Sequence, residues 1–274
     1  MKQLLQDLKT GKIDIVDVPV PQLKDESLLV SSNFSLVSKG TEKMLIDFGK
    51  SNYFKKAQQQ PDKVKQVLTK IKTDGIYKTY DAVKSKLDQP IPLGYCNVGR
   101  VIESSTQLFS VGDRVVSNGY HAENVCVSKN LCAKIPENVD DQSAAFTVLG
   151  SIGLQGIRLL KPEIGETIAV IGLGLIGLIS VQILKANGCR VIGIDKDLSK
   201  CELAEKYGAQ SICLQKDIDP VKNVLEISNG IGADGVLITA STKSNDVISQ
   251  AANMSRVRGR IAVSYTHLRA HETV

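Results

Sequence analysis

The chain has 274 residues, 42% hydrophobic and 23% charged, with 34 basic against 29 acidic side chains and a net charge of +5. This composition excludes disordered, collagenous and disulfide-scaffold chains, and the length suits one large soluble domain or two ordinary ones. The positive surplus is too mild to imply a nucleic-acid partner.

Residues 1–7 hold no apolar core of a secretory signal. Short apolar segments at 13–18 and 27–34, broken by Pro19 and Pro21, read as strands of a β-rich domain. From 47 to 89 the character changes. Val64, Val67, Leu68 and Ile71 lie at helical spacing, and Asp74 can cap a second helix carrying Ile76, Tyr80, Val83 and Leu87. Ten lysines in this stretch could meet a polyanion, but no arginines accompany them. The segment is read instead as an inserted helical hairpin with a solvated basic face. Strand-like pieces resume at 99–103, 113–116 and 124–127, and Asp140 or Asp141 can cap a helical stretch through Ser143 and Phe146.

From Thr167 the pattern becomes strand and helix in alternation. Strands are expected at 168–171, 191–194, 211–214, 235–239 and 260–263, with helices starting near Leu175, Ser199, Val221 and Asn245. Such alternation implies an α/β fold with a doubly wound parallel sheet. The expected division is therefore 1–140 for the β-rich domain and 141–263 for the parallel sheet. The apolar run 168–184 is 17 residues long and contains three glycines, Ser180 and Gln182. A membrane span wants about 20 apolar residues, so no membrane partner is expected. Cys96, Cys126, Cys132, Cys189, Cys201 and Cys213 include no C-x-x-C pair and read as reduced thiols of a cytoplasmic protein.

Thr167-Ile168-Ala169-Val170-Ile171 runs into Gly172-Leu173-Gly174-Leu175-Ile176-Gly177, a strand followed by G-x-G-x-x-G and a helix. Gly172 allows the tight turn, Gly174 lets a pyrophosphate approach the backbone, and Gly177 permits close helix–strand packing. The N–H groups of 172–177 and the dipole at the new helix's N-terminus suit phosphates. The next strand ends in Asp195, about 20 residues beyond the loop, where an acid accepts hydrogen bonds from an adenosine ribose. An acid there repels a 2′-phosphate, which favours NAD. Lys196 and Lys200 soften that repulsion and leave NADP as the alternative.

Gly94-Tyr95-Cys96-Asn97-Val98-Gly99-Arg100-Val101, Val111-Gly112-Asp113-Arg114-Val115 and Ile135-Pro136-Glu137 precede this fingerprint in a fixed order. In that order they resemble the medium-chain dehydrogenase/reductase superfamily over residues 1–46 and 88–263. The resemblance implies a GroES-like N-terminal domain carrying the helical insertion, followed by a Rossmann domain. Ser38-Lys39-Gly40-Thr41-Glu42, the lysine-rich insertion, 93–99 and Ile238-Thr239-Ala240-Ser241-Thr242-Lys243-Ser244-Asn245 are similar to a bacterial subgroup. There a second oxidoreductase domain of the glucose–fructose oxidoreductase type is fused behind. That similarity implies a sugar-related substrate; a homo-oligomer is a further candidate partner that the sequence itself does not specify.

The departures bear on mechanism. Where zinc members carry G-H-E, this chain has Gly94-Tyr95-Cys96; Ser38 or Lys39 replaces their first cysteine, and Thr147 falls near their third ligand. The cysteine-rich structural zinc lobe is absent, so no metal site is expected. The candidate groups for polarising a carbonyl or moving its proton are Tyr95, His121, Lys39 and Thr41, the last two in the loop that normally carries the first ligand. Ser151, Thr239, Ala240 and Ser241 are implied near the nicotinamide half. The sequence thus reads as a zinc-independent, NAD(P)-dependent oxidoreductase interconverting an alcohol and a carbonyl on a small-molecule substrate. A quinone or enoyl reductase and a non-catalytic dinucleotide-binding module remain alternatives.

Ser264-Tyr265-Thr266-His267-Leu268-Arg269-Ala270-His271-Glu272-Thr273-Val274 breaks abruptly from the strand before it. It is similar to translated sequencing-adapter read-through, so 264–274 is set aside as a tail and the parallel sheet is expected to be truncated after its fifth strand.

Overall fold

The computed structural model describes the chain except residues 9, 52–66, 68, 70–72, 74–84, 86–88, 216, 217, 241–243, 245 and 265–274. The expected helical hairpin with its Asp74 cap, Ser241, and the tail beyond Ser264 lie outside the described residues. The chain divides into two compact units, Met1–Val148 and Leu149–Val274.

The first unit is built on two sheets. Strands β1 (Lys2–Gln6), β2 (Ile13–Asp17), β3 (Ser27–Ser35), β4 (Ile91–Pro92), β5 (Asn97–Ser104), β6 (Arg114–Ser117), β7 (Asn124–Ser128) and β8 (Cys132–Lys134) appear in chain order. They form a three-stranded sheet, β2-β1-β4, and a five-stranded antiparallel sheet, β7-β3-β5-β6-β8. In β7, Val125 and Val127 alternate inward and meet Leu28, Val30, Val101, Phe109 and Val115 in one apolar cluster. Strand β1 has no counterpart in the sequence reading. Its residues show no two-residue alternation strong enough to announce it, and it is fixed by pairing Gln3 with Val16 and Leu5 with Asp14.

Two α-helices matter for the site in this unit. Helix α1 spans Lys39–Lys50, and α2 spans Asp141–Ala144. The first corrects the expectation that Lys39 and Thr41 sit in a loop, since both lie in the opening turn of α1. The reason is local. Glu42 N–H donates to Ser38 O at 2.9 Å, and the Glu42 carboxylate reaches back to accept Ser38 N–H at 2.8 Å. The first is the opening bond of the helical ladder, and the second satisfies the Ser38 N–H, which would otherwise be orphaned at the helix start. At α2, Asp140 accepts Ser143 N–H as the N-cap, and Asp141 binds the Arg114 guanidinium through Nε at 3.0 Å and Nη2 at 2.6 Å.

The second unit alternates β9 (Thr167–Ile171), α4 (Leu175–Ala186), β10 (Arg190–Asp195), α5 (Leu198–Lys206), β11 (Gln210–Cys213), α6 (Pro220–Ile227), β12 (Ala233–Ile238), α7 (Asp246–Met254) and β13 (Ser255–Val263), preceded by α3 (Thr147–Leu160), whose first turn holds the division between units. The strands form one parallel sheet in the order β11-β10-β9-β12-β13. Central β9 is buried along its whole length, as a strand covered on both faces must be. Its alternate residues feed two cores. Ile168 and Val170 join Leu160, Val181, Leu184 and Val191 on one face; Ala169 and Ile171 join Ile192, Ile194, Val236 and Met254 on the other. Full burial of each such side chain stabilises by about 1.5–3 kcal/mol, which fixes the strand register. Asp197 and Asp219 cap α5 and α6, the latter with Pro220 in its first turn.

Strand β13 is longer than the four residues expected, and Arg256 near its start and Arg260 further along tie it to neighbouring carboxylates. Arg256 pairs with Asp234 at 2.5 Å, and Arg260 pairs with Glu166 and donates to Lys161 O. Ser264 continues the ladder, donating its N–H to Ile238 O at 2.9 Å. Among the described residues no helix is long and apolar enough to cross a membrane.

Candidate functional site

The second unit presents a glycine loop between β9 and α4. Gly172 has φ +95°, and a Cβ there would stand 2.6 Å from Ala240 N, so only glycine fits. A Cβ on Gly177 would lie 1.9 Å from Gly172 O; the bare Cα lets α4 close onto the loop. Gly174 differs from both, because a Cβ at this position would project into open space. It is the N-cap of α4 and offers no side-chain cap to the helix's first N–H groups. A site with room at Gly174, uncapped helix-start donors and a positive helix end fits a pyrophosphate.

The walls of this cradle are tied down. Thr239 donates its N–H to Ile171 O at 2.9 Å, and its Oγ1 lies 2.5 Å from Gly172 O. Thr239 and Ala240, implied by family resemblance near the nicotinamide, here buttress the loop backbone. The carboxylate of Asp195 accepts Leu173 N–H on Oδ2 at 2.7 Å and Asp197 N–H on Oδ1 at 3.0 Å. Each oxygen keeps a second lone pair for a ribose hydroxyl. Lys200 Nζ sits 3.7 Å from Asp195 and 3.6 Å from Asp197, while Lys196 is exposed. The Leu173 side chain is fully buried against Gly193, so only its backbone faces the cradle. Leu175 is exposed and Ile176 half-buried on the first turn of α4; Ser151 is exposed on α3.

The first unit gathers the other candidates around the start of α1. Tyr95 donates its hydroxyl hydrogen bond to Thr41 Oγ1 at 3.2 Å. Lys39 is exposed beside them. His121 is nearly buried, its side chain 9% exposed, and both ring nitrogens are engaged. Nε2 lies 3.0 Å from Glu42 Oε2, and Nδ1 lies 2.8 Å from Ser35 Oγ. Gly94, at φ +92°, makes room for this: a Cβ there would be 2.6 Å from His121 N and 2.7 Å from its ring. The sequence reading missed Glu42 and Ser35. Glu42 four residues after Ser38 is a helix-start signal in hindsight, whereas nothing local marks Ser35, 86 residues from His121.

The donor set here does not fit a tetrahedral zinc ion. His121 meets one carboxylate and one hydroxyl, and no three His, Cys, Asp or Glu side chains converge among the described residues. Ser38 is the buried N-cap of α1, Thr147 opens α3, and Tyr95 is committed to Thr41.

Residues 176–265 match the family model described as zinc-binding dehydrogenase. D-guloside 3-dehydrogenase of Escherichia coli K12 is 29% identical over 154 residues, which is 54% of this chain and 44% of that protein. The chain thus spans less than half the length of this curated relative. Among solved structures, the alcohol dehydrogenase TADH from Thermus sp. ATN1 superposes with a TM-score of 0.74 at 20% identity, covering 96% of this chain and 77% of its own. Galactitol-1-phosphate dehydrogenase from Escherichia coli gives 0.74 at 17% identity, covering 98% and 76%. Mycobacterial Rv1454c complexed with NADPH gives 0.66 at 25% identity, covering 95% and 72%.

Proposed function

We propose that this chain, whose fold is that of medium-chain dehydrogenases/reductases, is an oxidoreductase that uses a nicotinamide dinucleotide to interconvert an alcohol and a carbonyl. The observation that carries the reading is the glycine loop: Gly174 open to solvent at a helix N-terminus, with Asp195 latched to Leu173 N–H beside it. When bound, the nicotinamide would supply the hydride acceptor or donor. The chain's own part is to hold the pyrophosphate on the backbone of 172–177 and the adenosine ribose on Asp195. The first unit supplies proton-handling groups, Tyr95–Thr41 and His121.

NAD is the proposed cofactor over NADP, because the Asp195 carboxylate stands where a 2′-phosphate would bring more negative charge; Lys200 and Lys196 offset part of that repulsion. The reaction is proposed to need no zinc, a reading supported by the donor set around His121. A hexoside or alditol is the proposed substrate class, in keeping with the D-guloside and galactitol-1-phosphate relatives.

The test begins with binding. The chain has seven tyrosines and no tryptophan, so energy transfer from tyrosine to bound NADH gives a clean titration. A panel of glycosides, alditols, their keto forms and quinones is then assayed with each cofactor, with and without a chelator. NADH binding with chelator-resistant turnover of an alcohol is the expected result. Turnover of quinones alone would replace the alcohol reading with a quinone reductase, and NADH binding without any turnover would leave a dinucleotide-binding module. Absence of NADH binding overturns the proposal.

A further inference from the structure

Two of the six cysteines meet inside the second unit, beside Asp195. Cys201 lies on α5 and is buried, whereas Cys213 ends the edge strand β11 and is half-buried against the same apolar cluster. Cys201 Sγ stands 3.7 Å from Asp195 O and 3.8 Å from Ile212 O. Cys213 Sγ stands 3.8 Å from Lys196 O. The two sulfurs therefore sit on successive carbonyls at the end of β10, and the thiols are hydrogen-bonded to each other. Asp195 is also the register partner of Cys213, and its carbonyl accepts Leu214 N–H at 2.8 Å.

We propose that Cys201 and Cys213 are a redox modification site: hydrogen peroxide closes them into a reversible disulfide, and that bond weakens dinucleotide binding at Asp195 and the glycine loop. The effect on binding rests on the dinucleotide reading above; the disulfide does not. Cys213 is the sulfur nearer the surface, so its thiolate attacks the peroxide O–O bond and is oxidised to the sulfenic acid. The hydroxide released takes up the proton that the thiol gave to solvent and becomes water. Burial, and then the hydrogen bond with Cys213, push Cys201 up to about 11, so it holds its proton until it attacks. Its sulfur bonds to Cys213 Sγ, the sulfenic oxygen leaves as hydroxide, and the Cys201 proton turns that hydroxide into the second water. In sum two thiols and one peroxide give one disulfide and two waters. Bonded sulfurs lie about 2.0 Å apart, closer than a hydrogen-bonded pair, so the reaction draws α5 and the end of β11 together. It also takes the Cys201 hydrogen away from Asp195 O. Asp195 feels both elements, because its carboxylate accepts Asp197 N–H at the head of α5 and Leu173 N–H in the glycine loop.

The full chain is reduced with dithiothreitol, desalted, treated with hydrogen peroxide at neutral pH, and then alkylated in urea. Lys206 separates the two cysteines, so trypsin leaves them on different peptides, 201–206 and 207–216, and their cross-link is read directly by mass spectrometry. The expected result is that cross-linked pair, with NADH affinity lowered about tenfold and both changes reversed by dithiothreitol. Cys213→Ser and Cys201→Ser should each give no cross-link at these peptides and keep their untreated NADH affinity after peroxide. Cys213 is only half-buried, so its variant tests the site even if Cys201→Ser fails to fold. Absence of the cross-link, or linkage of a different pair, overturns the proposal and leaves the dinucleotide reading standing. A mapped disulfide with unchanged NADH affinity, or a loss of affinity that persists in Cys213→Ser, overturns its control of binding. A reduced wild type that fails to bind NADH overturns the dinucleotide reading and that control with it, while the cross-link still decides the disulfide.

Discussion

Asp195 and Leu173 are joined by a 2.7 Å hydrogen bond from backbone N–H to carboxylate, across 22 residues of chain. The bond couples the end of β10 to the turn after β9, so the acid proposed to bind the ribose also sets the shape of the glycine loop. The same carboxylate accepts Asp197 N–H, the residue that caps α5. Specificity and loop geometry therefore cannot be altered independently at this position.

Replacing Asp195 by serine should move preference from NAD towards NADP, by removing the charge that opposes a 2′-phosphate and leaving Lys200 with Asp197 as its one remaining carboxylate partner among the described residues. Because Leu173 N–H also loses its acceptor, the variant should bind both cofactors more weakly than the wild type binds NAD. Competition titration with the two reduced cofactors measures this. A wild type that already prefers NADPH would show the reading of Asp195 to be wrong.

The three loop glycines should respond differently to substitution. Gly174→Val places its side chain in open space, so the melting temperature should stay within a few degrees while NADH affinity falls by at least tenfold. Gly177→Val meets Gly172 O at 1.9 Å from its Cβ and should lose stability and binding together. Thermal melts beside NADH titrations separate the two. Equal destabilisation of both variants would mean that Gly174 is needed for the fold and not for a ligand.

This contrast bears on what the sequence could disclose. The spacing of Gly172, Gly174 and Gly177 and the position of Asp195 are local signals, because a turn, a helix start and a strand end each demand particular residues. The parallel strands were legible for the same reason: an unbroken apolar run such as 168–171 suits a strand buried on both faces. The cluster around His121 was legible only in part. His121 and Glu42 are 79 residues apart and meet through the packing of α1 against the β1–β4 region, which no window of sequence contains. Family resemblance placed Lys39 and Thr41 in a loop, and the reach of Glu42 back to Ser38 turned that loop into a helix. Strand β1 escaped because its register is decided by β2, not by its own pattern.

Two thiols, Cys201 buried and Cys132 partly buried, offer a check on the packing around them. Burial, and then the neighbouring Cys126, push the Cys132 thiol up to about 12. Burial, and then the hydrogen bond with Cys213, push Cys201 up to about 11. Since the thiolate is the nucleophile, iodoacetamide at pH 8 should label both far more slowly in the native protein than in urea, which mass spectrometry of timed digests would show. Native-state labelling of Cys132 at its urea rate would mean that the sheet edge at β8 opens readily.

The clasp of Arg114 on Asp141 gives the first unit a definite dependence on acid. The Arg114 hydrogen bonds hold the Asp141 carboxyl below the usual carboxylate range; burial opposes them, and Asn33 Nδ2 at 3.2 Å adds to the lowering. A carboxyl whose value is depressed on folding stabilises the native state above its unfolded value, about 3.9. That contribution fades as pH falls through the lower folded value. Asp141→Asn should therefore cost about 2 kcal/mol at pH 7, the scale of a charge-assisted hydrogen bond, since Arg114 keeps a neutral acceptor at best. The gap between variant and wild type should hold from pH 7 to pH 5 and close below about pH 4 as the wild-type carboxyl takes up its proton. Urea unfolding curves across that range measure it. A gap that persists undiminished into acid would place the loss in packing around α2 and not in the charge of Asp141.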